Sequence, residues 1–165
     1  MTATKTNTPF QTKNSIPSST RSEVSAYLND CLATLIDLQM QAKQAHWNLR
    51  GPGFIGLHLL FDSLYAGVDK LTDAVAERIA QLGGLAQGTA SVVAKTSSLD
   101  EYPLKPLTIQ EHVALLSQSI AKAGGEFRKA IDWADEKGDA VTSDLATDVT
   151  KELDIWLWKV EANGS

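Results

Sequence analysis

A long apolar repeat in the middle of the chain constrains the fold more than any other feature. From Leu57 to Leu82 the apolar residues recur every three or four positions, and on a helical wheel they form a stripe roughly 100° wide. The residues of this stripe are Leu57, Leu60, Phe61, Leu64, Val68, Leu71, Val75, Ile79 and Leu82. Such a stripe is typical of one amphipathic helix that packs against a hydrophobic core.

Signals at the ends of this repeat predict where the helix and its predecessor stop. An earlier helix is predicted from Arg21 to about Asn48, where the sequence RGPG interrupts it. Pro52 suits the first turn of the second helix, and Gly83 and Gly84 supply its C-terminal stop after Leu82.

Two further helices are predicted in the second half of the chain. Thr108 and Glu111 form a capping-box pattern for a third helix that ends at Gly138, and a fourth helix fills Asp139 to about Ala162. In the middle connection, the sequence TASVVAK favours a short helix and EYPLKP does not. No segment reads as a strand, so the pattern predicts an all-α four-helix bundle with one long connection.

Composition limits the class of protein. The 165 residues, 43% of them hydrophobic, suit one domain over residues 21–165, preceded by a flexible tail over residues 1–20 that is rich in Ser, Thr, Asn and Pro. A net charge of -5 excludes a chain that is basic all over. Neither a membrane-spanning apolar run nor an apolar N-terminal signal is evident, which predicts a cytoplasmic protein. Cys31, the single cysteine, is predicted to be a small buried hydrophobe.

A second face of the second helix carries groups that ordinarily avoid burial. His58, Asp62, Asp73 and Glu77 lie roughly 100° to 200° round from the apolar stripe. The apolar residues that share this face are Ile55, Leu59, Ala66, Ala76 and Ala80. We therefore expect another surface to cover this face, and a metal ion to compensate its charged groups.

The spacing leaves two arrangements open for such a metal. His58 and Asp62 are four residues apart, as are Asp73 and Glu77, so each pair projects from successive turns of the helix. His58 and Asp73 are separated by about 22 Å of helical rise, so the two pairs cannot share one ion within the helix. Either the sites are unrelated, or an antiparallel second copy of the chain completes each pair in a homodimer.

Two residues at the end of the first helix are further candidates for this site. His46, at the end of the first helix, is placed to add a nitrogen ligand, and its neighbour Trp47 would then lie near the metal or serve as a packed interface aromatic. Taken singly, each His, Asp or Glu is more often structural, and the constellation is what favours metal binding. His112 is expected to be a surface or capping residue, and we assign it no role.

The sequences KQAHWNLRGPGFIGLH, FD, DAVAERIAQLGG and YPL resemble the Dps family, the miniferritins known as DNA-binding proteins from starved cells. The resemblance implies a ferritin-like bundle that assembles as a hollow dodecamer, oxidises Fe(II) preferably with hydrogen peroxide, or with dioxygen, and stores ferric mineral. It places two iron ions at each ferroxidase site, with the sites at the twofold interface, and zinc is an expected competitor. The implied ligands are His46, His58 and Asp62 of one subunit with Asp73 and Glu77 of its mate.

The resemblance also implies an iron-entry pore and makes DNA binding a function to consider. Asp139, Asp144 and Asp148 at the start of the fourth helix would line a negative pore, although acids favour a helix N-terminus for dipole reasons alone. The tail carries only Lys5, Lys13 and Arg21, so weak or absent DNA binding is expected, with nucleoid association left open. The alternatives are a nucleoid-compacting protein with incidental metal sites and a purely structural helical oligomer.

Overall fold

Residues 8–164 are described by a computed structural model of the chain, and they form five helices without a strand. The helices are α1 (Ser18–Asn48), α2 (Phe54–Gln81), α3 (Ala90–Thr96), α4 (Ile109–Glu136) and α5 (Ala140–Glu161). α1 packs chiefly against α2 and α4 chiefly against α5, while α1 with α4 and α2 with α5 close the bundle. The long connection between α2 and α4 carries the short α3, which packs on α1. The predicted four-helix bundle with a short extra helix is confirmed.

The apolar stripe of α2 forms one wall of the core. Its residues are buried except Leu60 and Leu71, which are half-buried and still pack against the core. Phe127 of α4 and Leu153 of α5 belong to the same buried cluster, as does Cys31 of α1, which is 3% exposed. The burial of Cys31 confirms its interpretation as a packed hydrophobe and raises the pKa of its thiol to about 12.

The capping signals mark the start of α4 correctly and the start of α2 with a small error. The capping box of Thr108 and Glu111 is present at the start of α4, as predicted. Pro52, however, lies in the turn before α2 rather than in its first helical turn. Gly53 has a φ of 81° and is the residue that precedes the helix, so its left-handed conformation delays the helical start to Phe54.

The start of α1 also differs from the expected position. α1 begins at Ser18, directly after Pro17, and not at Arg21. Arg21 is 8% exposed, and its guanidinium donates to the carbonyl oxygens of Ile16 at 2.9 Å and Leu82 at 3.0 Å. The backbone N–H of Phe10 donates to the carbonyl of Gly83 at 3.0 Å. These contacts hold the end of the predicted tail against the C-terminus of α2, while its first seven residues lie outside the described part.

A buried ion pair joins the end of α2 to the start of α5. Arg78 donates to the Asp139 carboxylate at 2.7 Å, and both side chains are nearly inaccessible to solvent. Asp139 is also the N-cap of α5, where it accepts from the Thr142 backbone N–H at 3.1 Å and the Thr142 hydroxyl at 2.6 Å. This buried network fixes the position of α5 relative to the helix that carries the candidate ligands.

Candidate metal centre

The short turn between α1 and α2 brings the first two candidate ligands together. His46 lies in the last turn of α1 and His58 in the second turn of α2. Their imidazole rings stack with centroids 3.6 Å apart and planes inclined by 20°. The centroid of the Phe54 ring lies 4.9 Å from that of His58, so Phe54, one turn earlier on α2, also packs against His58. The sequence prediction that His46 lies near His58 is confirmed.

Reciprocal hydrogen bonds fix how these two rings present their nitrogens. Nδ1 of His46 lies 2.8 Å from the carbonyl oxygen of His58, and Nδ1 of His58 lies 3.1 Å from the carbonyl oxygen of His46. Because a carbonyl oxygen only accepts, both Nδ1 atoms must carry hydrogen. A neutral imidazole in this tautomer keeps its lone pair on Nε2. This is the arrangement that metal-ligating histidines usually adopt.

Asp62 lies one turn beyond His58 and is half-exposed. The ammonium group of Lys43 makes a salt bridge to its carboxylate and also lies 4.7 Å from the centre of the Tyr65 ring. The hydrogen bond from Lys43 is the largest cause of a lowered pKa at Asp62, and the positive charge of Lys43 adds to it. Asp62 is therefore anionic at neutral pH, with Lys43 occupying the place that a cation would take.

Lys43 was missed by the sequence analysis. It precedes His46 by three residues, so both side chains project from the same side of α1. The three-residue spacing therefore indicates that Lys43 lies on the same side of α1 as the candidate ligand His46. A lysine in contact with a candidate ligand carboxylate competes with a metal for the same oxygen atoms.

Asp73 and Glu77 lie further along α2, and both are exposed. In the part of the chain that the structure covers, neither carboxylate has a hydrogen bond or an ion pair. Over the same residues, no three His, Cys, Asp or Glu side chains converge closely enough to hold an ion. One chain thus brings His46, His58 and Asp62 to one end of α2 and leaves the Asp73/Glu77 pair at the other.

Large apolar side chains beside the histidines are open to solvent in the single chain. Trp47 is 62% exposed, Ile55 63% and Leu59 60%. Isolated exposed apolar residues are ordinary, but neighbouring ones that flank candidate ligands mark an interaction surface. Trp47 follows His46 directly, so whatever covers this surface would also enclose the candidate ligands.

The three candidate pore residues do not share one environment. Asp144 and Asp148 are exposed on α5, one turn apart, and Lys151 donates to Asp148 at 2.9 Å. Asp139 is 1% exposed and is held by Arg78 and Thr142. Including Asp139 in the pore is therefore wrong, because its carboxylate is fully used inside the bundle. Only Asp144 and Asp148 remain candidates.

His112 also differs from its expected surface position. It is 1% exposed, and its Nδ1 lies 2.7 Å from the Tyr102 hydroxyl oxygen. Burial lowers its pKa, against smaller opposing effects of the Asn48 backbone and the Glu111 carboxylate. The sequence contained a signal for this burial, since His112 precedes the core residue Leu116 by one helical turn.

Two further findings concern membrane-spanning helices and the match to a protein family. Across residues 8–164, no helix combines the length and apolar character that crossing a membrane requires. The Ferritin family, described as the ferritin-like domain, matches residues 25–163, which include every helix except the start of α1.

Similar proteins share both the sequence and the fold. A DNA protection during starvation protein of Agrobacterium fabrum is 42% identical over 153 residues, which span 93% of this chain and 94% of the relative. A protein of the same name from Mycolicibacterium smegmatis is 35% identical over 142 residues, 86% of this chain and 77% of the relative.

Solved structures agree with these sequence matches. The tetragonal form of Mycobacterium smegmatis Dps superimposes with a TM-score of 0.87 at 33% identity, covering 93% of both chains. DpsC from Streptomyces coelicolor gives a TM-score of 0.91 at 29% identity, covering 99% of this chain and 95% of that one. On the matched bundle, the shared sequence and the fold, this chain belongs to the Dps family of ferritin-like proteins.

Proposed function

We propose that the protein is a ferroxidase and iron-storage protein that oxidises Fe(II) at sites shared between two subunits. The observation that carries this proposal is the histidine pair, whose Nδ1 atoms are bound by backbone carbonyls so that both Nε2 atoms are available. Imidazole nitrogen together with carboxylate oxygen is a donor set that suits iron. Membership of the Dps family supports the same function.

Iron is the substrate in this scheme. His46, His58 and Asp62 of one subunit face Asp73 and Glu77 of its mate when two α2 helices lie antiparallel across the exposed apolar surface. Burial of Ile55 and Leu59 in that contact would stabilise the pairing. Because the arrangement is twofold, each pair of subunits forms two equivalent sites. The complete assembly is proposed to be a hollow dodecamer that retains the ferric product in its interior.

The oxidation balances when two ferrous ions react together. Each Fe(II) gives one electron, and one hydrogen peroxide takes both electrons and two protons to form two water molecules. Because Glu77 has a long side chain with two oxygen atoms, it is placed to bridge the two ions, while Asp73 and the histidines each hold one. Paired delivery of electrons avoids hydroxyl radical, so removing both Fe(II) and peroxide would protect cellular components. Dioxygen is the slower alternative oxidant, and zinc competes for the same ligands.

An aerobic iron-oxidation assay tests the proposal. Iron-free protein is given Fe(II) and hydrogen peroxide, and the formation of ferric product is followed by absorbance, together with its solubility after centrifugation. The Asp73→Asn/Glu77→Gln variant should lose rapid oxidation, and its ferric product should precipitate. The matched control is Asp132→Asn/Glu136→Gln, which alters an exposed pair of the same spacing on α4. Equal activity of the test variant and the control would refute the proposed site.

An acidic entry path is proposed at the start of α5. Asp144 and Asp148 are exposed carboxylates on one side of this helix, and symmetry-related copies would concentrate negative potential around an opening. Asp144→Asn should slow iron uptake severalfold without changing assembly, and Asp135→Asn, at an exposed acid of α4, serves as the control. Unchanged uptake kinetics in Asp144→Asn would remove this residue from the path.

Direct DNA binding is the second candidate function, favoured by the names of the relatives. Of the basic residues Lys5, Lys13 and Arg21, the last two lie in the described part, and Arg21 belongs to α1. Lys13 is exposed, whereas the Arg21 guanidinium is buried and bonded to backbone carbonyls, so it is unavailable to phosphate. We therefore propose weak binding at low salt and none at physiological salt, which a gel-shift titration with salt would measure. Retention of DNA at physiological salt would overturn this.

A further inference from the structure

A cavity of about 430 Å³ lies between the end of α1, the loop before α4 and the first turn of α4. Its polar lining consists of Gln44, Asn48, Arg50, Tyr102, Lys105 and His112. The volume lies within the range of about 300–1,000 Å³ that small-molecule pockets occupy. The candidate iron ligands do not line this cavity, and the proposed ferroxidase reaction does not use it.

The charge of the lining selects the class of ligand. Arg50 and Lys105 contribute two cations, and no acidic side chain lines the cavity. Glu111 is the acid beside it, but its carboxylate accepts from the Thr108 backbone N–H at 2.7 Å and from the Thr108 hydroxyl at 2.9 Å. These bonds are the main causes of its lowered pKa and engage it in the helix cap. Glu111 stays ionised, but the two cations of the lining outnumber this one carboxylate, so the cavity is locally positive in a chain with a net charge of -5.

A buried imidazole supports the wall of the cavity. His112 lines the cavity, and its Nδ1 is engaged by the Tyr102 hydroxyl. Nε2 is inaccessible to solvent, and the backbone of Asn48 interacts with the ring. His112 therefore holds the wall of the cavity in place and does not itself contact a ligand through Nε2.

The loop that closes the cavity is restrained before any ligand arrives. Pro103 and Pro106 fix two backbone φ angles, and Tyr102 anchors the start of the loop through His112. Asn48 is held from the other side, since its amide donates to the Gln44 carbonyl at 2.7 Å. A binding site that is restrained in advance loses less conformational entropy when a ligand binds.

We propose that this cavity binds a small organic anion, whose carboxylate or phosphate group contacts Arg50 and Lys105. The apolar part of the ligand would lie against Pro103 and Leu104, which also line the cavity. Each of these cations binds carboxylate oxygens and phosphate oxygens, so an experiment must decide which of the two anions the cavity takes.

Titration calorimetry on the assembled, iron-free protein tests this binding. The probes are citrate for carboxylates, adenosine 5′-monophosphate for phosphate esters, and inorganic phosphate as the anion without an organic part. One of the two organic probes should bind, and Arg50→Gln should weaken its binding by about tenfold or more. Lys105→Gln should weaken it less, because an ammonium makes single rather than forked contacts.

A matched control distinguishes a built site from general charge attraction. Lys95→Gln removes an exposed cation on α3 that does not line the cavity, and it should leave the affinity unchanged. The proposal is overturned if none of the three probes binds, or if Lys95→Gln weakens binding as much as Arg50→Gln. It is also overturned if inorganic phosphate binds as tightly as both organic probes, because the apolar wall would then contribute nothing. Iron oxidation plays no part in these measurements, so their outcome is independent of the proposed ferroxidase.

Discussion

The two ends of α2 carry the two halves of the candidate metal centre, and one chain orders them to very different degrees. At the first end, His46 and His58 are stacked and bonded to each other's backbone carbonyls. At the second end, Asp73 and Glu77 are exposed, and their carboxylates have no hydrogen bond or ion pair within the described chain. Contacts within the single subunit thus order the histidine half, whereas no such contacts order the carboxylate half.

This difference has a chemical reason. An imidazole must offer the correct nitrogen in the correct tautomer, so its Nδ1 hydrogen needs a fixed acceptor. A carboxylate has two equivalent oxygen atoms and can bind an ion in several orientations, so it needs no fixed hydrogen bond before the ion arrives. We therefore expect the histidine half to bind the first ion and the carboxylate half to complete the site.

The largest expected effect is recovery of activity when two inactive variants are mixed. His46→Asn/His58→Asn removes the Nε2 ligands while keeping a donor for each carbonyl, and Asp73→Asn/Glu77→Gln removes the other half. Each variant alone should be inactive. After co-refolding, about a quarter of the sites should recover, because half of randomly formed pairs are mixed and one site in each is whole. Fe(II) oxidation measures this recovery.

The control for that experiment is the composition of the assemblies. Native mass spectrometry of differently tagged variants must show that mixed assemblies have formed. If mixed assemblies are no more active than the separate variants, the two halves do not meet across a subunit interface, and the comparison between them loses its basis.

An intermediate effect is expected on stability, because only one half is held by contacts within the chain. His58→Ala should lower the free energy of unfolding of the iron-free protein by about 1–3 kcal/mol through loss of its hydrogen bonds and ring contacts. Glu77→Ala should change it by less than about 0.5 kcal/mol. Urea unfolding at one protein concentration measures both, since oligomer stability depends on concentration. Similar losses in the two variants would show that the carboxylate half is equally ordered.

The sequence was sufficient to predict the bundle because local signals mark its elements. The apolar stripe of α2 identified its buried face, and the capping box of Thr108 and Glu111 marked the start of α4. Those signals act over three or four residues, within the range that a single sequence reveals. The proximity of His46 and His58 was also predictable, since only a short turn separates their helices.

Contacts between distant residues could not be predicted in this way. Asp139 pairs with Arg78, which is 61 residues away, so its burial was invisible to periodicity along α5. The position of His112 one turn before Leu116 indicates its burial, but its contact with Tyr102, which comes from an irregular loop, leaves no local signal. The contact of Lys43 with Asp62 likewise depends on how α1 packs against α2. Each of these errors concerns a polar residue whose partner lies on another element.

The smallest expected effect concerns Lys43, which pairs with Asp62 beside the histidines and competes with a metal for that carboxylate. Lys43→Met removes the salt bridge that is the main cause of the lowered pKa at Asp62, so this pKa should rise toward its ordinary value. At neutral pH, Asp62 stays ionised in either protein, and loss of the competing ammonium should strengthen the binding of a divalent ion by up to about fivefold. Titration with Co(II) under anaerobic conditions measures the affinity without turnover.

The size of the effect shrinks in acid. A carboxylate whose pKa is lowered in the folded protein loses the stabilisation from its partner as the pH falls through that pKa. Below it, a protonated Asp62 no longer holds Lys43 in the unchanged protein, so the affinity advantage of Lys43→Met should fall without turning into a disadvantage. Lys122→Met, which removes the salt bridge to Asp100, is the matched control and should behave as the unchanged protein. Equal Co(II) affinity in Lys43→Met and this control would mean that the lysine does not compete, and that the histidine half already accepts an ion with Lys43 in place.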